Sequence, residues 1–188
     1  MAVNPFSKQL DNRNFLSPVG FNFTLAKYPK VSFMSNSAKI PQITLQTAQQ
    51  NTYLKMIDVP GDQLTYSDFT LKFLVDEDLV NYKTIHNWLT ALGFPETTQQ
   101  YADQYYSDGK NDINNFFSDG TLVILNSNYI GKAQVKFKDL FPVSLTSLDF
   151  TATDTDINYF TAEVSFKYTV YNLLDMQNII HYTTQLLY

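Results

Sequence analysis

The 188-residue chain contains no cysteine, which excludes disulfide bonds, thiolate metal sites and a cysteine nucleophile. It has only two histidines, His86 and His181, and His86 lies inside a predicted helix, where a lone histidine is usually structural. No serine lies in a G-x-S-x-G motif, and the six glycines form no phosphate-binding loop. These absences predict a protein that is not an enzyme and that has no cofactor and no metal.

Charged residues are also scarce, at 16% of the chain, and Arg13 is the only arginine. The formal net charge is −5, whereas a protein that grips nucleic acid needs a concentrated basic face. Lys132, Lys136 and Lys138 share the spacing of one strand face, which is more typical of a solvated strand than of a phosphate track. We therefore expect no specific binding of nucleic acid.

No apolar run approaches the length of a transmembrane helix, and residues 1–10 lack the apolar stretch of a signal peptide. The absence of cysteine is compatible with a reducing compartment. We therefore expect synthesis in the cytoplasm and no membrane partner.

Aromatic residues are abundant, with 15 Phe and 13 Tyr, and many of them alternate with polar residues. Phe69, Leu71 and Phe73 follow this period in segment 68–75, and the period continues along segment 159–171. Alternation of period two is typical of an antiparallel sheet with one buried face, so the chain is predicted to be mainly β. Strands are expected at 21–26, 31–34, 42–46, 53–59, 68–75, 121–125, 132–138, 143–150 and 159–171.

One segment has the period of a helix. Apolar residues at 79, 82, 85, 89 and 92 are three or four positions apart, and a glycine at 93 ends the run, which predicts a helix over 79–92. Asp76-Glu77-Asp78 precedes it, where acids favour a helix start. A metal site at these acids is the weaker alternative. Asp154 and Asp156 have the opening spacing of a calcium loop, but its glycine and its final acid are missing, so a polar turn is expected there.

We expect a single domain with extensions. Residues 1–18 form an N-terminal arm, 19–172 form the β domain, and 173–188 form a C-terminal extension. Within the domain, 94–120 is rich in Tyr, Asp, Asn and Ser without a period, which predicts a long loop. Pro60-Gly61 predicts a turn, because proline fixes φ at one central position and glycine supplies a positive φ at the next.

Several segments stand in a defined order. Pro60-Gly61-Asp62 is followed by strand 66–73, then by the acids of 75–78 and a helix ending at 87–89. Leu140-Phe141-Pro142-Val143, then 148–150 and 159–171, complete the series. In order and spacing, over roughly 19–92 and 121–172, they resemble the tail tube proteins of contractile-tailed bacteriophages.

The resemblance implies an antiparallel β-sandwich or half-barrel with one flanking α-helix. It also implies six-membered rings of identical subunits, closed as a β-barrel and stacked into a tube inside a contractile sheath. The partners would be further copies of the chain, sheath proteins, baseplate or neck proteins, and viral DNA that passes through without specific binding. The location would be the tail of a virion assembled in the bacterial cytoplasm. A lumen without basic residues would let DNA slide.

A hairpin over about 43–59, with a polar tip at 47–52, is suited to contact the next ring. The predicted inter-ring residues are Gln46, Gln49, Gln50, Asn51 and Tyr53. The predicted residues of the sheet between subunits are Ile43, Leu45, Lys55 and Ile57.

Three alternatives remain at this point. A tube-fold ring of the baseplate or neck would start or end the tube, and a secretion-system tube would share the fold. A carbohydrate-binding β module would use Tyr101, Tyr105 and Tyr106 to stack on sugars.

Overall fold

A computed structural model describes residues 15–29, 35–93, 95–105, 113–151 and 159–176. Within these ranges the chain forms nine strands, two α-helices and one 3-10 helix. The strands are β1 (Phe21–Leu25), β2 (Ser35–Lys39), β3 (Ile43–Asn51), β4 (Met56–Tyr66), β5 (Phe69–Leu74), β6 (Ser118–Leu125), β7 (Gly131–Leu145), β8 (Thr161–Lys167) and β9 (Val170–Asp175). The helices are α1 (Val80–Gly93), α2 (Thr98–Tyr105) and the 3-10 helix Ile113–Phe116.

Seven strands form one antiparallel sheet in the order β1-β6-β7-β8-β5-β2, with β9 also paired to β7. The sheet folds over on itself at β7. We call β1, β6, the first part of β7 and β9 sheet A, and the last part of β7 with β8, β5 and β2 sheet B. Aromatic rings join the two sheets: Phe69 of sheet B lies 4.5 Å from Phe137 and 5.2 Å from Phe23 of sheet A, centroid to centroid. The predicted antiparallel sandwich is confirmed.

The strand periods predict the core. Phe69, Leu71 and Phe73 are fully buried, while their neighbour Lys72 points outward. In β8, Ala162, Val164 and Phe166 are likewise fully buried. Burying each of the larger of these side chains, the Phe, Leu and Val residues, contributes roughly 1.5–3 kcal/mol, which makes the alternating apolar residues a main source of stability.

One long ribbon joins the two sheets. β7 pairs with β8 at Pro142–Phe166 and, in the same register, with β9 at Lys138–Val170. The ribbon bends at Asp139, which has φ 55°. The sequence pattern predicts a break between 138 and 143 and an unbroken strand over 159–171. Both predictions are wrong: β7 runs without a break through residues 138–143, and the segment 159–171 is divided between β8 and β9.

Helix α1 confirms the predicted helix over 79–92 within one residue at each end. Ile85 and Trp88 of its buried face join the core, and the Trp88 indole N–H donates a hydrogen bond of 2.9 Å to the Phe116 carbonyl. Leu79 was predicted to lie on the apolar face. It precedes the helix instead and is exposed, with φ 55°. The acids at 76–78 lie before the helix rather than in its first turn.

Two expectations about the chain's organisation are wrong. The interval 94–120 was predicted to be a long loop, but it contains α2 and the 3-10 helix. The predicted domain end at 172 falls inside β9, so the sheet extends to Asp175. The N-terminal arm up to 14, the strand at 31–34, Asp154, Asp156 and the extension from 177 lie outside the described residues.

Candidate assembly surfaces

The β3–β4 hairpin projects from sheet B. Its strands continue from β2 and into β5, and all nine residues of β3 are exposed. β4 pairs only with β3 among the described strands, so neither strand has a partner on its outer edge. At about 3.3 Å per residue, β3 spans about 30 Å. A two-stranded ribbon of this kind is marginally stable alone, which indicates that another protein covers it.

The tip of the hairpin differs from the prediction. The loop is residues 52–55, not 47–52, and the Thr52 hydroxyl closes it through hydrogen bonds with the Lys55 backbone. Tyr53 and Leu54 are almost wholly exposed there. A hydroxyl-closed loop carries no glycine or proline signal, so the sequence pattern places the tip too early.

Pro60-Gly61 does not form the predicted turn. Both residues lie inside β4, where the pairing shifts from Leu45–Leu64 to Thr47–Pro60, so that Gly61, Asp62 and Gln63 bulge opposite Gln46. A Cβ on Gly61 would collide with the Gln46 carbonyl oxygen and lie 3.0 Å from its carbon. The glycine is required by close backbone approach rather than by turn geometry.

The structure places the predicted inter-ring residues on this hairpin but in different settings. Gln49, Gln50 and Asn51 pair with Asp58, Ile57 and Met56 at the end of the ladder. Gln46 lies opposite the bulge, and Tyr53 is in the loop. All five are exposed.

The residues predicted for the sheet between subunits divide into two groups. Ile43 and Leu45 pair with Tyr66 and Leu64, forming an exposed apolar face near the base. Ile57 lies near the tip, and Lys55 lies in the loop rather than in a strand. Because residues directly opposite share a face and Gln50 pairs with Ile57, Ile57 faces away from the side that carries Ile43. No single face of the hairpin therefore carries all four residues.

A tyrosine cluster fixes the base of the hairpin. The Tyr168 hydroxyl donates a hydrogen bond of 2.8 Å to the Ser67 carbonyl, and the Tyr171 hydroxyl donates one of 3.0 Å to the Pro41 carbonyl. The Tyr66 ring lies 5.7 Å from that of Tyr171. Burial, helped by the neighbouring Tyr171, Tyr66 and Asp68, raises the pKa of Tyr168 well above its usual value.

We expect this cluster to make the protein sensitive to alkali. The folded state holds the Tyr168 proton while the unfolded chain loses it near pH 10, so the free energy of unfolding should fall as the pH rises above about 10. In Tyr168→Phe the fall between pH 9 and 11, measured by urea unfolding, should be shallower. An unchanged slope would contradict this origin. Tyr129→Phe, at an exposed tyrosine, is the control.

The opposite end of sheet B carries a second exposed surface, which we call the far end: residues 75–80, 146–150 and 159–160. Phe150 is 73% exposed and Tyr159 is 81% exposed, and the Phe150 ring lies 4.7 Å from that of Phe160. Glu77, Asp78 and Leu79, which are consecutive in sequence, are exposed at the same end. The described residues contain no group of acids and histidines able to hold a metal ion, so the metal alternative at 76–78 gains no support.

The tyrosines considered for sugar binding are packed against each other. Tyr101 and Tyr105 stack at 6.1 Å and 14°, and Tyr101 also lies 4.6 Å from Phe116. Tyr106 lies outside the described residues. A sugar-binding aromatic needs an open ring face, so this arrangement favours a packing role for the pair.

Lysines occur on the outer faces of both sheets. Lys132, Lys136 and Lys138 are exposed along β7, as their spacing predicts. Lys39, Lys72 and Lys167 are exposed on sheet B, where Lys72 pairs with Glu163. Across the described part of the chain, no helix is both long and apolar enough to span a membrane.

Comparison with known proteins gives one family. A family model described as phage tail tube protein matches residues 4–174. No curated protein matches the sequence.

Solved structures share the fold at low identity. A chain from the cap of the anti-feeding prophage, its tube terminating cap, aligns with a TM-score of 0.59 at 15% identity, over 92% of this chain and 99% of the other. A chain from the sheath–tube complex of an extracellular contractile injection system aligns with a TM-score of 0.57 at 17% identity, over 87% and 94%. A chain from the sheath/tube terminator of that type of system gives 0.56 at 19% identity, over 87% and 99%.

Proposed function

We propose, because the chain belongs to the phage tail tube protein family, that it is the tube subunit itself: identical copies close into six-membered rings, and the rings stack into a hollow tube within a contractile sheath. Tail tube proteins are structural, and this chain is accordingly not an enzyme. The family match supports the resemblance noted from the sequence. Similar folds occur in sheath–tube, cap and terminator assemblies, which supports sheath and tube-end proteins as partners.

The observation that carries the proposal is the unpaired hairpin. All nine residues of β3 are exposed, and so are the apolar side chains of Leu45 in β3, Leu54 in the tip loop and Leu64 in β4. A soluble monomer rarely exposes so long a ribbon with apolar side chains and free edges, because it is a template for association. Closed symmetric assembly removes such edges by pairing them between identical subunits.

Passage of DNA through the lumen is part of the proposal. The sequence predicted a lumen without basic residues, and the distribution of lysines does not support that prediction. Sheets A and B both expose lysines, so a lumen lined by the outer face of either would not be free of basic residues. Glu163 partly offsets those of sheet B through its pairing with Lys72. The support for DNA passage is therefore the family rather than the charge pattern. Assembly in the bacterial cytoplasm belongs to the same proposal.

The test is the assembly state of the purified chain. With rising protein concentration, sedimentation velocity should show rings, and negative-stain images should show tubes of uniform diameter. A monomer at every concentration would contradict the proposal.

A second candidate is a ring that starts or ends the tube at the baseplate or neck. It is motivated by the fold shared with a chain of a tube terminating cap, at a TM-score of 0.59, beside 0.57 for a chain of a sheath–tube complex. Rings that stay single at high concentration would select this role. Glycan binding without any assembly would instead favour a carbohydrate-binding module.

A further inference from the structure

We propose that the far end of sheet B is the receptor for the β3–β4 hairpin tip of a second copy in the adjacent ring. This inference rests on the proposed function and names the two surfaces that meet when rings stack. The receptor consists of Leu79, Phe150, Tyr159 and Phe160, flanked by the acids Glu77 and Asp78. The incoming element is the loop Tyr53-Leu54-Lys55.

The first argument is the direction of the chain. β5 runs from Phe69, paired with Phe166, to Leu74, paired with Thr161. The hairpin is attached just before the first of these pairs, and residues 75–80 follow just after the second. The hairpin and residues 75–80 are therefore at opposite ends of one strand.

Two more segments leave sheet B at the same end as residues 75–80. The Val75 amide donates a hydrogen bond of 2.8 Å to the Phe160 carbonyl, which fixes 159–160 beside them. The Thr146 amide donates one of 3.0 Å to the Glu163 carbonyl, and the Tyr82 hydroxyl of α1 donates one of 3.0 Å to the Thr146 carbonyl. The far end is thus built from three chain segments held by two backbone hydrogen bonds and one from the Tyr82 side chain.

Stacking of identical rings in one direction requires two different surfaces at opposite ends of the subunit. A head-to-tail contact of this kind does not close, and it therefore builds a filament. Since the hairpin extends from one end, the surface that meets it in the next ring lies at the other. The far end is that surface.

The chemistry of the two surfaces is complementary. Tyr53 and Leu54 are almost fully exposed to solvent at the tip. At the far end, Phe150 and Tyr159 are also largely exposed. Aromatic residues in contact across an interface supply much of its binding energy.

The charges have opposite sign. Lys55 is the one charged residue of the tip loop, and Glu77 and Asp78 are exposed at the far end. All three side chains are exposed, and none forms an ion pair with another described residue. Opposite charges at the rim of such a contact fix its register and exclude wrong orientations.

Leu79 adds an independent observation. Its φ of 55° lies in the left-handed region, which costs a leucine of order 1 kcal/mol or more, and its side chain is 40% exposed. Backbone strain of this kind is found at binding surfaces, where it presents a side chain to a partner.

The test is a charge swap in the full-length chain, followed by pelleting of tubes and electron microscopy. One variant carries Lys55→Glu, and a second carries Glu77→Lys together with Asp78→Lys. Each should reduce the amount of pelleted tubes by more than about tenfold, because like charges then meet across the ring junction. The variant that carries all three substitutions should regain tubes, since every ring both donates and receives a hairpin. Lys132→Glu, an equal charge change on β7, is the matched control.

Rings should persist in the single-sided variants, with normal thermal unfolding, because only stacking is affected. Leu79→Gly provides a variant without charge change: it relieves the backbone strain, so the fold should be at least as stable while the tube yield falls. A normal tube yield from both single-sided variants, or a triple variant that fails to recover, would overturn the receptor but leave the tube function intact. A wild-type chain that never assembles would contradict both.

Discussion

Replacing Trp88 with alanine lowers the free energy of unfolding by about 3–5 kcal/mol, the cost of emptying the largest buried site of a core. Trp88 is 1% exposed, and its ring lies 5.2 Å from Tyr28 and 6.2 Å from Phe166. Its indole N–H also satisfies the Phe116 carbonyl, which the substitution leaves without that donor. For a domain of this size the midpoint of thermal unfolding should fall by about 10 °C.

The measurement is urea and thermal unfolding followed by circular dichroism. Trp88→Phe keeps most of the ring volume and loses the hydrogen bond, so it should cost clearly less than the alanine variant. Leu89→Ala, at a half-buried neighbour on the same helix, is a further comparison. A loss below about 1 kcal/mol for Trp88→Ala would mean that α1 does not seal the sandwich as the structure shows.

Gly61→Ala is expected to abolish tube formation while leaving the sandwich folded. The added Cβ would collide with the Gln46 carbonyl oxygen, and because the obstacle is backbone, the ladder between β3 and β4 must shift. A shift of one residue turns every following side chain to the opposite face. The tip that carries Tyr53 and Lys55 would then meet the next ring with the wrong face or at the wrong height.

The control is Gly93→Ala at the end of α1, where a new Cβ has no neighbour within 4 Å. That variant should assemble like the wild type. Both variants should unfold near the wild-type temperature, since the hairpin lies outside the core. Normal tubes from Gly61→Ala would show that the bulge does not set the position of the tip.

The parts of the fold that could be predicted from sequence are those in which burial follows a period. Phe69, Leu71 and Phe73 in β5 alternate with polar residues because one face of the strand is the core. Helix α1 was found for the same reason, since Ile85 lies on the face that packs inward. In these segments local pattern and tertiary packing agree.

Elements without a buried stripe could not be predicted. Helix α2 buries no residue fully, and its short, polar sequence offers only the i, i+4 pair Tyr101 and Tyr105 as a helical signal. β2, with the sequence SNSAK, is polar and is ordered by pairing with β5. Pro142 lies within β7, at a shift of register with β8 where a proline is tolerated, although proline normally indicates a break.

The hairpin that carries the candidate site was predicted in outline. Alternation around Ile43 and Leu45 indicated a hairpin, and all nine predicted residues lie on it. Its tip and bulge depend on the Thr52 hydroxyl and on the distance between Gly61 and Gln46, and neither leaves a distinctive pattern in one sequence. The far end was not predicted, because its three segments are distant along the chain and meet only through the β5–β8 register.

The exposure of β3 along its full length also affects the kinetics of growth. A ribbon that is only marginally ordered in the free subunit loses its remaining freedom when a ring docks, so that entropic cost falls on the docking step. The first two rings bear this entropic cost when no ordered tube end exists, whereas later rings dock on the end of a tube that is already rigid. Growth of the purified chain should therefore show a lag that shortens when preformed seeds are added, and an initiating complex would act as such a seed.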